Sequence, residues 1–454
     1  RGRAAMLAGQ QDQDYVAMAL SSTDHPDEAP PDKSPLWRVV GNFINTVVGA
    51  GIVGLPFTLH RAGFYSGIAM MVLACALTHV SLGYLIHTGI RLRMSTFEDI
   101  CEALFGRTGY YLVVLSLLIF DTGATLSFMI ILTDSAARVV AQLFPGAGGH
   151  DGAVHDYCLL AFCPLLLFLS LKRDMAALEQ FSWSAVALVG ALAAFVLWRF
   201  VDLAETGEVD AGEPLTVFNP GIAAAFGTAA FSFVNNDVAF PLYNTLHNPT
   251  RARWARLSAI SMSTALVVCA LFATFGYLTF RDKVTDNLLN DYPPRGPAIA
   301  AMRLAYALTL SLTFPTTFFV VRHVLNELLY RGTPGYKSVK DNGAGRHVGL
   351  SLAIFALLVL LTISRVTLGF VMSFSGGLAA VVLAFVLPPA LWIKSHPCYS
   401  PAFWRNRGAV WASMCELGPP CLMLAFGLVM AVGASVQSVA CEFFADGERL
   451  ANLC

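Results

Sequence analysis

The sequence predicts an all-α polytopic membrane protein built from two halves of opposite orientation. Three observations lead there. Apolar residues make up 56% of the 454 residues and charged residues only 13%, with a mean hydropathy of +0.62, whereas soluble domains carry about 25% charged residues. Apolar runs long enough to cross a bilayer recur along the whole chain. Two of them, the first and the sixth, are broken near their middles by glycine, proline and polar residues.

A transmembrane helix needs roughly 20 mainly apolar residues. Eleven runs meet or approach that length: 36–60, 66–90, 109–140, 156–171, 180–201, 219–243, 256–280, 297–330, 347–364, 367–393 and 409–437. Between the second and third, Ser95-Thr96-Phe97-Glu98 has the pattern of a capping box. It opens a short amphipathic stretch with Phe97, Ile100, Leu104 and Phe105 on one face. That stretch reads either as a helix lying in the membrane surface or as a connecting helix packed on the protein. The chain then divides into a disordered tail (1–35), a first five-helix half (36–201), an acidic loop (202–218), a second five-helix half (219–393), a loop with the eleventh span (394–437) and a terminal tail (438–454).

Lysine and arginine set the orientation. One set of loops holds fifteen of them, including Arg91, Arg107, Lys172, Arg251, Arg331 and Lys394, and the opposite set holds eight. The second set includes the acidic loop with Asp202, Glu205, Glu208, Asp210 and Glu213. The N-terminus is therefore expected in the cytosol and the C-terminus outside or in a lumen. The balance of 29 basic and 30 acidic residues gives no reason to expect a nucleic-acid partner. Ten cysteines occur without a CxxC pair, mostly within apolar runs, where a thiol behaves as a small hydrophobe. Cys441 and Cys454 are candidates to pair if the tail faces an oxidising space. Residues 1–35 lack the apolar core of a signal peptide.

The first span contains Gly49, Gly51, Gly54 and Pro56. In a helix interior glycine costs about 1 kcal/mol and proline about 3 kcal/mol relative to alanine. Lipid offers no water to the backbone groups so released. The break is tolerable where bare N–H and C=O groups meet a partner, a cavity or a ligand. The sixth span repeats the pattern with Gly227, Asn235-Asn236-Asp237 and Pro241. It lies five spans further on, so the two segments run in opposite directions. Pro56 and Pro241 are 185 residues apart and similarly placed. Paired broken helices in two inverted halves point to the midplane site of a secondary transporter. Kinks that serve helix packing alone are the competing explanation.

The residues that form these breaks resemble a known family. Asn-x-x-x-Gly-x-Gly-Ile-x-Gly-Leu-Pro in the first span, Ala-Phe-Ser-Phe-Val followed by Pro-Leu-Tyr in the sixth, and Phe-Gly-Tyr-Leu-Thr-Phe at 275–280 are similar to the amino acid/auxin permease family, and within it to the sodium-coupled neutral amino acid transporters. The resemblance runs from about residue 36 to 440. It implies a LeuT-like inverted repeat of five plus five helices with an eleventh helix, no catalytic residues, no cofactor beyond a coupling sodium ion, and a small amino acid as partner.

A helix N-terminus suits a carboxylate, so the substrate's carboxylate is expected at Gly49, Ala50, Gly51 and Ile52. Its ammonium is expected at bared carbonyls near Phe231 and Ser232, and its side chain against Phe231, Ser232, Asn235, Ser127 and Phe128. Where the family usually carries Cys-His in the sixth span, this chain has Asn235-Asn236, which leaves the preferred side chain open. Asn235 serves either the substrate or the broken helix. The resemblance implies a sodium site at Asn45, Ser311 and Thr313; the bland alternative is that the two hydroxyls back-bond within their helix. Asp121 and Asp237 are candidates for a proton relay, since intramembrane carboxylates cost at least about 2.5 kcal/mol and default to a functional reading. Asp134 and Arg138 are spaced for an ion pair, and Arg322 for an anchor or gate.

A membrane enzyme finds little support, because His60, His79, His87, His247 and His323 are scattered over different spans without metal-binding spacing. A nutrient sensor that keeps the pocket without turnover stays open, with the loop 331–340 and the N-terminal tail as docking surfaces. Sodium versus proton coupling, the membrane, and the oligomeric state are not readable from these residues.

Overall fold

A computed structural model describes residues 33–144, 152–172, 182–207, 214–293, 296–331, 343–396 and 407–443. Most of the predicted tail, the middle of the acidic loop, the loop 332–340 and Cys454 lie outside these residues. Cys441 is disulfide-bonded.

Helices occupy every predicted apolar run. The first is α1 (Leu36–Val48), a 3-10 turn (Ala50–Gly54) and α2 (Leu55–Ala62). Then come α3 (Phe64–Leu92), α4 (Phe97–Leu143), α5 (Gly152–Ser170) and α6 (Ser182–Thr206). The second half holds α7 (Ile222–Phe233), α8 (Ala239–Thr245), α9 (Arg251–Phe280), a short α10 (Leu288–Asp291), α11 (Pro297–Tyr330) and α12 (Ala344–Ile363). It closes with α13 (Leu368–Ser375), two π turns (Gly376–Ala380 and Val382–Val386) and α14 (Leu387–Ser395), followed by α15 (Arg407–Phe443). Among the described residues nine helical segments are long and apolar enough to cross a membrane, while Val154–Ser170 and Ile222–Phe233 are shorter apolar helices. No extended strand occurs among them, only one isolated bridge between Ser34 and Leu246.

Local chemistry explains the boundaries. Gly63 sits between α2 and α3 with φ +89, a region L side chains avoid. An added Cβ there would also lie 2.9 Å from the backbone of Val217 and Phe218. Gly106 (φ 65, ψ −157) breaks α4, so residues 97–105 form a separate helix before the span. The cap of that helix differs from the predicted Ser95/Glu98 box. Thr96 accepts the Asp99 N–H and its hydroxyl donates to Asp99 Oδ2 at 2.6 Å. Phe97 and Ile100 are buried in the main core, so this helix packs on the protein.

The helices fall into two groups by packing. One contains α1, α2, α3, α7 and α9; the other is built on the long contact of α4 with α11, together with α5 and α12. The first π turn and α15 pack on α7, and the second π turn packs on α15, α14 and α3. The face bearing Ser34 and Leu246 is the one that the charges predict to be cytosolic, and is termed the inner face. There Ser34 N–H donates to Thr245 O and His247 N–H to Ser34 O, and Lys33 Nζ donates to Asn244 O at 2.9 Å. Residues 33–35, assigned to the tail by sequence, are thus tied to the end of α8. At the outer face Asn219 N–H donates to Ala62 O and its side chain to His60 O at 2.7 Å. Each half of the first broken helix is therefore bound to the opposite-running half of the other.

Candidate functional site

The two breaks meet. The helix α1 ends at Val48, and the 3-10 turn from Ala50 to Gly54 precedes α2. The first N–H groups of such a turn have no acceptor within it, which leaves Ala50, Gly51 and Ile52 as the donors predicted from sequence. The sixth segment stays helical through Phe231, Ser232 and Phe233 and unwinds over 234–238. Val234 N–H bonds to Ala230 O, so the last-turn carbonyls beyond it, from Phe231 to Phe233, lack intrahelical donors. The unwinding thus begins two residues after Ser232.

The glycines divide by role. A Cβ on Gly51 would lie 2.8 Å from Ser232 Cα and Cβ, and one on Gly54 2.8 Å from Met372 Sδ. Those two glycines let helices touch. Gly49 is half-buried, and a Cβ there would meet only Thr46 O at 3.5 Å and the Phe128 ring at 3.7 Å. Ala50 and Ile52 are buried. Phe231 meets Phe120 edge-on with centroids 5.7 Å apart. Gly49, Gly51, Phe128, Phe231 and Ser232 are therefore brought together.

Three side chains in this region carry unspent hydrogen-bonding capacity. Ser127 Oγ, Asn235 Nδ2 and Asn236 Oδ1 are sealed from solvent without a partner. Asn236, rather than Asn235, ties the unwound stretch down: its Nδ2 donates to Ser81 Oγ at 2.9 Å, and Ser81 Oγ donates to Ala384 O at 2.5 Å. That chain joins the break to α3 and to the second π turn. Such turns recur at functional sites because they free backbone groups.

Sequence reasoning missed Tyr306. Its hydroxyl donates to Gly49 O at 3.0 Å, so α11 reaches the first break directly. A helix turns about 100° per residue, which puts Thr309 and Thr313 on the Tyr306 face and Ser311 about 140° away from it. Thr313 donates to Thr309 O at 2.9 Å and Ser311 to Ala307 O at 2.8 Å. Both hydroxyls back-bond, as Ser and Thr often do in helices. Each keeps lone pairs for a cation.

Along α1, Arg38, Asn42, Asn45, Thr46 and Gly49 share the face that is not buried. Amides and hydroxyls at that depth need water or protein rather than lipid, so this face does not meet lipid. At the outer end the short α10 packs closely on α2 and α9. Leu288 of α10 is fully buried and lies with Pro56 against Gly276. Arg303, also fully buried, holds the loop by donating to Leu289 O and Tyr292 O at 2.7 and 2.8 Å. Asp134 does not pair with Arg138. It accepts from Asn290 at 2.9 Å and Asn287 at 3.2 Å and contacts His155 at 3.3 Å. Beside it lies a cavity of about 190 Å³ bordered by Asp286, Arg365 and Thr367. Arg322 anchors the inner end of α11 by donating to Ser170 O at 2.7 Å and Ser351 Oγ at 3.1 Å.

Two inverted halves, each with an interrupted helix at its centre, define the LeuT-like class of membrane transporter. Solved structures show the same fold: an inward-facing Mhp1 aligns over 94% of this chain and 97% of its own with a TM-score of 0.57 at 12% identity, and MhsT in complex with L-phenylalanine over 90% and 100% with 0.54 at 11%. The chain belongs to the family described as transmembrane amino acid transporter protein, whose pattern it matches over residues 32–439. A Mus musculus relative with the provisional name sodium-coupled neutral amino acid transporter 11 is 30% identical over 365 residues, 80% of this chain and 78% of its own. Vacuolar amino acid transporter 2 of Saccharomyces cerevisiae is 24% identical over 424 residues, 90% of this chain and 84% of its own. The protein is thus a multi-pass membrane transporter of the amino acid class and not an enzyme.

Proposed function

We propose that this protein carries neutral L-amino acids by sodium-coupled symport with alternating access. The observation that carries the reading is the meeting of two unwound helix segments whose backbone donors and acceptors lie side by side. N–H groups of the turn after Gly49 receive the carboxylate, and the last-turn carbonyls of α7 receive the ammonium. Recognition then rests on what all α-amino acids share. No lysine or arginine lies in either break, which disfavours acidic substrates. Ser127 and Asn235, with open polar atoms, meet the substrate's side chain and favour small or polar neutral residues. Sodium binds at Asn45, Ser311 and Thr313, whose amide and hydroxyl oxygens suit a hard cation. A tenfold sodium gradient supplies about 1.4 kcal/mol, and one charge crossing about 60 mV adds a similar amount. Together they sustain about hundredfold accumulation.

The names of the mammalian relatives support sodium as the driving ion. In this reading the group containing α1, α2, α7 and α9 rocks against the group built on α4 and α11, with the N-terminus in the cytosol. The test is uptake of labelled amino acids into proteoliposomes under imposed sodium or proton gradients, using neutral, basic and acidic substrates. Neutral substrates accumulating only with inward sodium is the expected result. Equal uptake with choline in place of sodium rejects the coupling, and saturable binding without flux converts the reading to a sensor. Asn45→Ala is expected to weaken sodium activation with expression retained; unchanged activation removes that residue from the site.

A further inference from the structure

Gly49 is where the two helix groups touch at the first break. It ends α1, closing the last turn by donating its N–H to Asn45 O at 3.3 Å. Both principal helices of the other group reach it. From α4, the Phe128 ring lies 3.7 Å from the position a Gly49 Cβ would take. From α11, the Tyr306 hydroxyl donates to Gly49 O at 3.0 Å. Tyr306 is 2% exposed, so packing fixes the ring and aims the hydroxyl. Asp121 Oδ2 on α4 and Asp237 Oδ1 in the unwound stretch are sealed without partners, so the hydroxyl is spent on Gly49 rather than on either of those oxygens.

Other polar side chains of these helices bond within their own group. Trp254 and Ser258 of α9 reach Leu82 O and His79 of α3. Arg322 of α11 reaches Ser170 O of α5 and Ser351 of α12. The Tyr306 bond crosses from one group to the other. A separation of donor and acceptor from 3.0 Å to about 3.6 Å ends a hydrogen bond, and helix shifts of about 1–2 Å accompany transitions between states. Rocking of the two groups therefore breaks this bond.

The Gly49 C=O and the Ala50 N–H belong to one planar peptide unit. Holding the oxygen fixes where that N–H points, and the Ala50 N–H is one of the donors assigned to the substrate's carboxylate. We infer that Tyr306 is a positioning residue: its hydroxyl holds the Gly49–Ala50 peptide in the orientation that receives the carboxylate, and lets go each time the two helix groups move past one another. This rests on the carrier reading above. Tyr306 acts through the peptide, so it sets how well the substrate is bound in this state and opposes departure from it.

The experiment compares the full-length wild type, Tyr306→Phe and Tyr243→Phe by uptake into proteoliposomes and by deuterium exchange of the purified proteins. Tyr306→Phe keeps the ring and loses the donor. Tyr243→Phe is the control, because it loses a hydroxyl bond to Pro249 O at 3.2 Å that involves neither Gly49 nor α11. In Tyr306→Phe the KM for a neutral amino acid is expected to rise about 2- to 12-fold, the range of one net hydrogen bond, with kcat per folded protein retained. Amides at 49–53 should exchange faster by a similar factor, and the control should match the wild type in both. Damage to folding alone would lower kcat at unchanged KM. Wild-type KM and exchange in Tyr306→Phe overturn the positioning role, as does a fall in kcat alone. If none of the proteins transports, the carrier reading fails and the exchange comparison alone decides the hold on Gly49. If Tyr306→Phe does not fold, Tyr306→3-fluorotyrosine decides, being a stronger hydroxyl donor of nearly equal size: lower KM and slower exchange support the hold, and no change rejects it.

Discussion

Gly51→Ala is the sharpest perturbation of the proposed site. The added methyl would lie 2.8 Å from both Ser232 Cα and Cβ, where carbon atoms prefer about 3.5–4.0 Å. The turn and α7 must therefore separate by about 1 Å. Overpacking of this kind costs about 1–3 kcal/mol, or roughly tenfold for each 1.4 kcal/mol if it falls on the transport-competent state. Proteoliposome uptake is expected to fall about 5- to 100-fold, with a lowered Tm. Gly83→Ala is the control, because nothing lies within 4 Å of its Cβ position and alanine is the better helix former by about 1 kcal/mol. Ser232→Gly removes Cβ and Oγ, two of the three Ser232 atoms the new methyl would meet, so Gly51→Ala/Ser232→Gly should recover part of the loss. Contacting pairs show such non-additivity of about 0.5–3 kcal/mol. Wild-type uptake and Tm in Gly51→Ala, or strict additivity in the double variant, would refute the close approach of the two breaks.

Three further outcomes follow from the same structure. Asn236→Ala and Ser81→Ala each remove the bond between the unwound stretch and α3 and should each cost about 1–3 kcal/mol of thermal stability; the double variant should cost little more than either single one, and full additivity would break the link. Arg303→Met frees the outer loop from three hydrogen bonds. Faster deuterium exchange at residues 284–293 with unchanged exchange around Ser34 is expected, and equal protection in both proteins counts against Arg303 holding that loop. In that loop burial pushes the Asp291 carboxyl up to about 6, against the opposing hydrogen bonds from Thr285. A raised carboxyl favours the folded loop at low pH. The advantage is complete below the ordinary carboxylate pKa and is lost as pH rises through about 6. Wild-type Tm should therefore fall relative to Asp291→Asn between about pH 4 and 7, and parallel Tm curves for the two proteins would dismiss the effect.

The fold was legible because lipid restricts the chain so severely. A span must be apolar over its whole length and satisfy its own backbone, so runs such as 66–90 and 256–280 announce themselves, and an interruption such as Gly49–Pro56 stands out against them. Side-chain partnerships were less legible. Asp134 and Arg138 have helix-pair spacing, yet Asp134 turns to Asn287 and Asn290, some 150 residues away. Tyr306 looked like one more apolar residue of a long span until the fold carried its hydroxyl to Gly49. The adjacent Asn235 and Asn236 could not be told apart by sequence, because only the position of Ser81 assigns one to the scaffold.

By itself, then, the sequence determined the solvent of this protein, the order of its helices and the two places where the backbone had to open. Each of those follows from local composition and from the cost of a bare peptide group in lipid. Tertiary structure alone decided which glycine packs and which stays open, where unwinding begins beyond Ser232, and which asparagine is bound to Ser81. Those depend on contacts between residues far apart in the chain, and a one-turn shift of any helix would reassign them.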